Sequence, residues 1–204
     1  MRILDLGCGP GFDLADWGVS SGDEVTGIDI DEKRVAVART RFPNRTYLQG
    51  TGERLPFEDG RFDRVICSVA LPYMNITQAL AQIYRTLTPG GSISLSLHLP
   101  EFTLAELKQA IPRPIPTAFR LYVIANGVLF HCTGRTLRFI TGKTESFQTE
   151  RGMRVALLRA GFVDFSFRRA QVRAGKAFFV EARKPGVPET IAQPNGESVA
   201  SRLS

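Results

Sequence analysis

Residues 3–11, Ile-Leu-Asp-Leu-Gly-Cys-Gly-Pro-Gly, run an apolar strand straight into a turn with glycine at every second position. Few folds accommodate that order. Gly7, Gly9 and Gly11 put no side chain between the turn and whatever lies over it, so backbone N–H groups can meet a ligand directly. The stretch from Phe12 to Val19 then reads as a helix, with Asp13 and Asp16 near its start and its positive end directed at the turn. Eighteen residues beyond Gly11, Asp29 closes a second apolar strand, Glu24–Asp29. Backbone amides after one strand and a carboxylate at the tip of the next describe a nucleoside site, the carboxylate accepting from two ribose hydroxyls.

The spacing narrows the choice of nucleoside. The dinucleotide pattern Gly-x-Gly-x-x-Gly needs glycine where Phe12 stands, which disfavours an NAD-dependent oxidoreductase. Asp5, two residues ahead of the first glycine, would repel a pyrophosphate and suits a ligand with a cationic amino group.

Strand and helix signals alternate through the first hundred residues, which predicts a parallel sheet with helices on both faces. Asp31 caps a helix over Glu32–Phe42 that stops at Pro43; Arg45–Gln49 is a third strand and Phe62–Ser68 a fourth. Ile76, Leu80, Ile83 and Leu87 recur at helical spacing behind an Asn75 cap, and Pro89-Gly90-Gly91 is expected to end that helix. A fifth strand follows over Gly91–Leu99. The stretch 101–148 departs from the alternation and reads as an insertion. It holds a short helix opened by a Thr103/Glu106 capping box and a second helix within Thr117–Ile140. Thr149–Ala160 is a further helix with Gly161 as its C-cap, and a hairpin across Ala174-Gly175 closes the sheet. Residues 1–184 form one domain, and the proline-bearing tail 185–204 is expected to be disordered.

The net charge of +6 is unevenly placed: residues 1–100 hold 10 Lys/Arg against 12 Asp/Glu, residues 101–204 hold 16 against 8. A basic second half fits an anionic substrate, an acidic membrane surface met peripherally, or a solvated face. Nucleic acid is disfavoured, because Arg168, Arg169, Arg173 and Lys176 lack interleaved aromatics. Cys8, Cys67 and Cys132 are odd in number and match no metal-ligand spacing, so free thiols, no metal and a cytoplasmic location are expected. With Met1 leading directly into a strand, no secretory signal is expected.

The segment Asp5-Leu6-Gly7-Cys8-Gly9-Pro10-Gly11 resembles the first motif of the class I S-adenosylmethionine-dependent methyltransferases. Four further motifs follow in order: Asp29; Leu55-Pro56-Phe57 ahead of Phe62-Asp63; Arg85 to Gly91; and Ala160-Gly161-Phe162. The resemblance is to the methyltransferase type 11 branch that includes quinone-biosynthesis enzymes. It implies a Rossmann-like, doubly wound α/β fold: a seven-stranded sheet, mostly parallel with an antiparallel last strand, and a helical insertion after strand five. S-adenosylmethionine would lie across strands one, two and four. Gly7, Gly9 and Gly11 would admit the methionyl part, Asp5 would address its amino group, and Asp29 would hold the ribose. Ile30 would pack on the adenine, with Thr51 and Gly52 beside it, and Ser68 would border sulfonium and acceptor.

Two departures bear on that expectation. Thr51 stands where the family usually has Asp, with Glu53 as an out-of-register substitute. The chain also begins at the first strand, where relatives carry covering helices, so either the sequence is truncated or a cover comes from 101–148. These departures motivate the alternative of an S-adenosylmethionine-binding protein without turnover.

Methyl transfer to a good nucleophile depends mainly on positioning, and a base is needed only when the attacking atom must lose a proton. His98, ending the fifth strand, and Tyr73, after the fourth, are the candidates, with His131 a third. Ser68-Val69-Ala70-Leu71 replaces the Asn/Asp-Pro-Pro-aromatic run of amino-directed relatives, arguing against adenine, cytosine or glutamine methylation. The apolar run Phe119 to Phe130 either lines a pocket mouth or packs on neighbouring structure. Together these imply a small apolar or amphiphilic acceptor.

Overall fold

The computed structural model describes residues 1–186 apart from 13, 112, 140–143 and 173–174, with backbone only at 98, 171–172 and 175–176. Asp13, the Gly142-Lys143 pair, Arg173, Ala174 and the tail from 187 lie outside the described residues. Seven strands form one sheet: β1 (Arg2–Leu6), β2 (Glu24–Asp29), β3 (Thr46–Gln49), β4 (Phe62–Ser68), β5 (Leu87–His98), β6 (Val163–Val172) and β7 (Gly175–Arg183). Their order is β3-β2-β1-β4-β5-β7-β6. The first five run parallel, and β7 is antiparallel to both neighbours, β5 and β6. This is the doubly wound sheet that the strand–helix alternation predicts.

The central strands are apolar toward both faces because both faces are covered. Ile3, Leu4, Val65, Ile66, Ile93 and Leu95 are all fully buried. Helix α2 (Ile76–Thr86) buries Ile76, Ala79, Leu80 and Ile83, and the Asn75 carboxamide oxygen accepts from the Gln78 N–H at 3.1 Å. Asp31 caps α1 (Glu32–Arg41) by accepting from the Lys33 N–H at 2.9 Å. The Thr149 hydroxyl caps α5 (Glu150–Ala160), which ends in a left-handed Gly161.

Four sequence expectations are corrected. The helix over 12–19 reduces to one 3-10 turn at Ala15–Trp17, because Gly18 adopts a left-handed φ of 72° and ends it. No helix dipole therefore points at the glycine turn. Helix α2 ends at Thr86, before Pro89-Gly90-Gly91, because Leu87 is already extended and pairs with Phe62 as the start of β5. Helix α3 (Pro100–Ala110) begins with Pro100 and has no side-chain cap; Thr103 lies buried inside it, so the capping box does not form. Helix α4 (Pro114–Thr133) stops well before residue 140, at a left-handed Gly134.

Helices α3 and α4 pack on each other, and α4 on α5. Close approach needs glycine where the segment before α5 passes α4 and where α4 crosses α5. A Cβ on Gly127 would lie 2.3 Å from the Phe147 ring, and one on Gly152 would lie 2.7 Å from Phe130. The described helices include none long and apolar enough to cross a membrane.

Candidate functional site

Strand order reverses between β1 and its neighbours β2 and β4, and in open α/β sheets a crevice forms outside the carboxyl ends at such a point. A cavity of about 450 Å³ sits there. Its walls come from the loops after β1, β2, β3 and β4, and include Gly7, Gly9, Asp29, Ile30, Thr51, Gly52, Ser68 and Tyr73.

The loop after β1 is fixed by its backbone. The N–H groups of Gly7 and Cys8 both donate to the Ile28 carbonyl, at 2.8 and 3.1 Å. Gly7 is at φ 75°, and a Cβ there would fall 2.2 Å from that of Ala70, so the loop after β4 crosses where only hydrogen fits. Gly9 differs: a Cβ on it would meet only Phe12, at 3.4 Å, and would otherwise project into open space. Its N–H donates to Asp29 Oδ2 at 2.8 Å, while Asp29 Oδ1 accepts from the Asp31 N–H at 2.9 Å. Asp29 is thus held from both sides at the cavity wall, with lone pairs left over for a ligand.

Two expected residues stand elsewhere. Gly11 does not line the cavity; it lets the loop pack on α1, since a Cβ would meet Phe42 and Ala38 at 3.0–3.2 Å. Asp5 also lies behind the lining. It is buried, and burial lifts its carboxyl to about 7, with the nearby Asp29 raising it and Arg45 opposing. Sequence reasoning missed the pins of this loop: Arg41 donates to the Gly11 carbonyl and Arg45 to that of Phe12, both at 2.9 Å. Arg41 reads as an ordinary basic residue at a helix end and Arg45 as the start of a strand, so spacing gives no signal for them.

Ile30 is 70 % exposed on one wall. Thr51 and Glu53 both line the cavity, and Glu53 accepts from the Asn75 N–H at 2.9 Å. The lining carries Asp29 and Glu53 against Arg34, so it favours a cation. Ser68, at the tip of β4, precedes Val69, whose φ of 61° is a strained conformation for a β-branched residue. Its N–H donates to the Ser96 carbonyl at 2.8 Å, which holds it there. Strain of this kind costs about 1–3 kcal/mol. Val69→Gly is therefore expected to raise stability by about 1 kcal/mol in urea unfolding, the remainder being offset by glycine's greater freedom when unfolded.

Tyr73 lines the same cavity, half exposed. Burial raises its hydroxyl above the usual value, with Glu145 and Glu106 adding to this and Arg120 opposing. Arg120 bridges those two glutamates, at 2.6 Å to Glu145 and 2.9 Å to Glu106. His98 ends β5, and its side chain lies outside the described residues. His131 bonds the Thr149 hydroxyl at the α5 cap (2.9 Å) and is not among the cavity residues. No described residue of 101–148 lines the cavity. Burial pushes the thiols of Cys8 and Cys67 up to about 12, which rules them out as nucleophiles at neutral pH.

A glycine turn after β1, an acid closing β2 and a cation-favouring cavity between them define a Rossmann-like nucleoside-binding protein. A family model described as a methyltransferase domain matches residues 4–95. An uncharacterised methyltransferase of Synechocystis is 40 % identical over 103 residues, 48 % of each chain. A demethylmenaquinone methyltransferase of Lactococcus lactis is 28 % identical over 181 residues, 83 % of this chain and 68 % of that one. A solved S-adenosylmethionine-dependent methyltransferase of Methanosarcina mazei shares the fold with a TM-score of 0.62 at 21 % identity, over 91 % of this chain and 93 % of the other. Residues 4–95 thus match a methyltransferase domain, and the fold is that of solved S-adenosylmethionine-dependent methyltransferases. It spans about half the length, or less, of several curated relatives that it matches.

Proposed function

We propose that this protein transfers a methyl group from S-adenosylmethionine to a small, apolar or amphiphilic acceptor. The observation that carries the reading is Asp29, held by the Gly9 and Asp31 amides at the wall of a cavity whose charges, Asp29 and Glu53 against Arg34, favour a cation. In this reading residues 1–184 are the methyltransferase domain and 101–148 an insertion beside the acceptor. The cofactor supplies a methyl group on a sulfonium, an excellent leaving group.

The chain's own residues bind and orient. Asp29 accepts from the ribose hydroxyls, with charge-assisted bonds of about 1.5–3 kcal/mol. Ile30 and Gly52 flank the adenine, and Thr51 accepts from its amino group without a charge. The glycine loop borders the methionyl part, and a cationic amino group there favours the ionised form of the Asp5 carboxyl behind it. Ser68 and Tyr73 face the acceptor. A phenol held above its usual range is no base at neutral pH, so Tyr73 positions the acceptor by donating a hydrogen bond. Quinol-like chemistry fits an apolar-walled cavity, and a relative named as a demethylmenaquinone methyltransferase supports that choice. The buried free thiols suit a reducing, cytoplasmic setting.

The test is incubation with methyl-labelled cofactor and a panel of quinol-like phenols and amphiphilic carboxylates. The expected result is S-adenosylhomocysteine formed in step with a labelled acceptor. Tight cofactor binding with no turnover across the panel would instead assign a binding protein.

A further inference from the structure

Helix α4 turns an uncharged face to solvent. Its exposed positions are Pro114, Ile115, Pro116, Ala118, Leu121, Ala125, Val128 and Cys132, and from Ala118 onward they recur at intervals of three and four. Ile115 is 82 % exposed, and Leu121 and Val128 are each 53 % exposed. A helix on the surface of a globular protein ordinarily directs charged residues outward. Here the one ionised side chain of the helix, Arg120, is turned inward between Glu106 and Glu145.

The ends of this face are basic. Lys108 and Arg113 are exposed ahead of the helix, and Arg135 and Arg138 beyond it, and none of the four forms an ion pair among the described residues. The insertion's acids do not balance them, because Arg120 takes up two and Glu101 stands at the far end of α3. Two copies packed through this face would bring like charges together. Antiparallel pairing sets Arg113 near Arg135 and Arg138, and parallel pairing sets each against its equivalent. An apolar stripe with cationic ends matches an anionic bilayer, which accepts the side chains among its acyl chains and the arginines at its headgroups. No described helix can span the bilayer, so contact would be in the plane of the surface.

We propose that α4 is a membrane-docking surface that seats this protein on anionic phospholipid. The placement also has a consequence for catalysis. The charges of Glu106, Arg120 and Glu145 reach Tyr73, so the docked insertion lies on the acceptor side of the cavity. That consequence rests on the proposed function; the docking itself does not.

The test is co-sedimentation of the full chain with vesicles of equal parts phosphatidylcholine and phosphatidylglycerol, against phosphatidylcholine alone, at low and high salt. The chain is expected to bind the anionic vesicles and to be released by salt. Leu121→Glu with Val128→Glu is expected to weaken binding about tenfold or more, with the thermal midpoint unchanged because both side chains are exposed. Arg135→Glu with Arg138→Glu, which leaves the stripe intact, is expected to weaken binding and reduce its salt dependence. Equal binding by these variants, or no preference for anionic vesicles, overturns the proposal. So does a lipid-free dimer, seen by analytical ultracentrifugation, that the Leu121/Val128 change dissociates. That result would make the stripe an interface between copies. Cofactor titration separates this test from the cavity's, since neither variant touches the cavity.

Discussion

Replacing Asp29 by alanine is expected to weaken S-adenosylmethionine binding on the order of 100-fold, about 3 kcal/mol. Two losses combine. The ribose hydroxyls lose a charged acceptor, and the Gly9 and Asp31 amides lose the partner that now holds them at 2.8 and 2.9 Å. The second loss loosens the glycine loop, because Gly9 is its middle residue. Asp29→Asn separates the two. It keeps the shape and one acceptor oxygen but turns an N–H₂ toward one amide donor, so an intermediate loss is expected. Isothermal titration with cofactor and with S-adenosylhomocysteine measures both variants. Wild-type affinity in the alanine variant would show that the ligand does not use the end of β2.

The second large effect is the contribution of Asp5 to the pH dependence of stability. Its carboxyl is 4 % exposed, and burial lifts it from an ordinary 3.8 to about 7. The folded state therefore holds its proton more tightly than the unfolded chain does. Below about 4 both states are protonated and the fold keeps its full stability from this group. As pH rises from about 4 to about 7 the unfolded chain ionises first, and stability falls by about 4 kcal/mol before levelling off. Asp5→Asn removes this slope and is expected to be more stable than the parent at pH 8 by a similar amount, while binding cofactor more weakly. Urea unfolding at a series of pH values checks both statements. A parallel slope in the two proteins would place the titration on another group.

A buried, destabilising acid behind a ligand loop makes sense where function rather than stability holds it in place.

Much of the sheet is legible in the sequence because its signals are local. Ile3 to Leu6, Val25 to Ile28 and Phe62 to Ser68 are short apolar runs, and Asp31, Asn75, Thr149 and Gly161 mark helix ends through their own side chains or backbone freedom. The order of the motifs along the chain likewise carries the methyltransferase resemblance and the loops that meet at one sheet edge. What tertiary structure decided was non-local. The segment 12–19 stops at the left-handed Gly18, whereas α4 runs twenty residues through Gly127, where Phe147 packs against it. Gly11 and Gly9 are equivalent in the motif, yet one faces the cavity and the other packs on α1, because α1 crosses the loop at Phe42 and Ala38. The apolar residues of 114–133 divide into a packed side and an exposed stripe by where α3 and α5 lie against them. Composition set how apolar that helix is; contacts made over long chain separations set which of its faces meets protein and which is left for another surface.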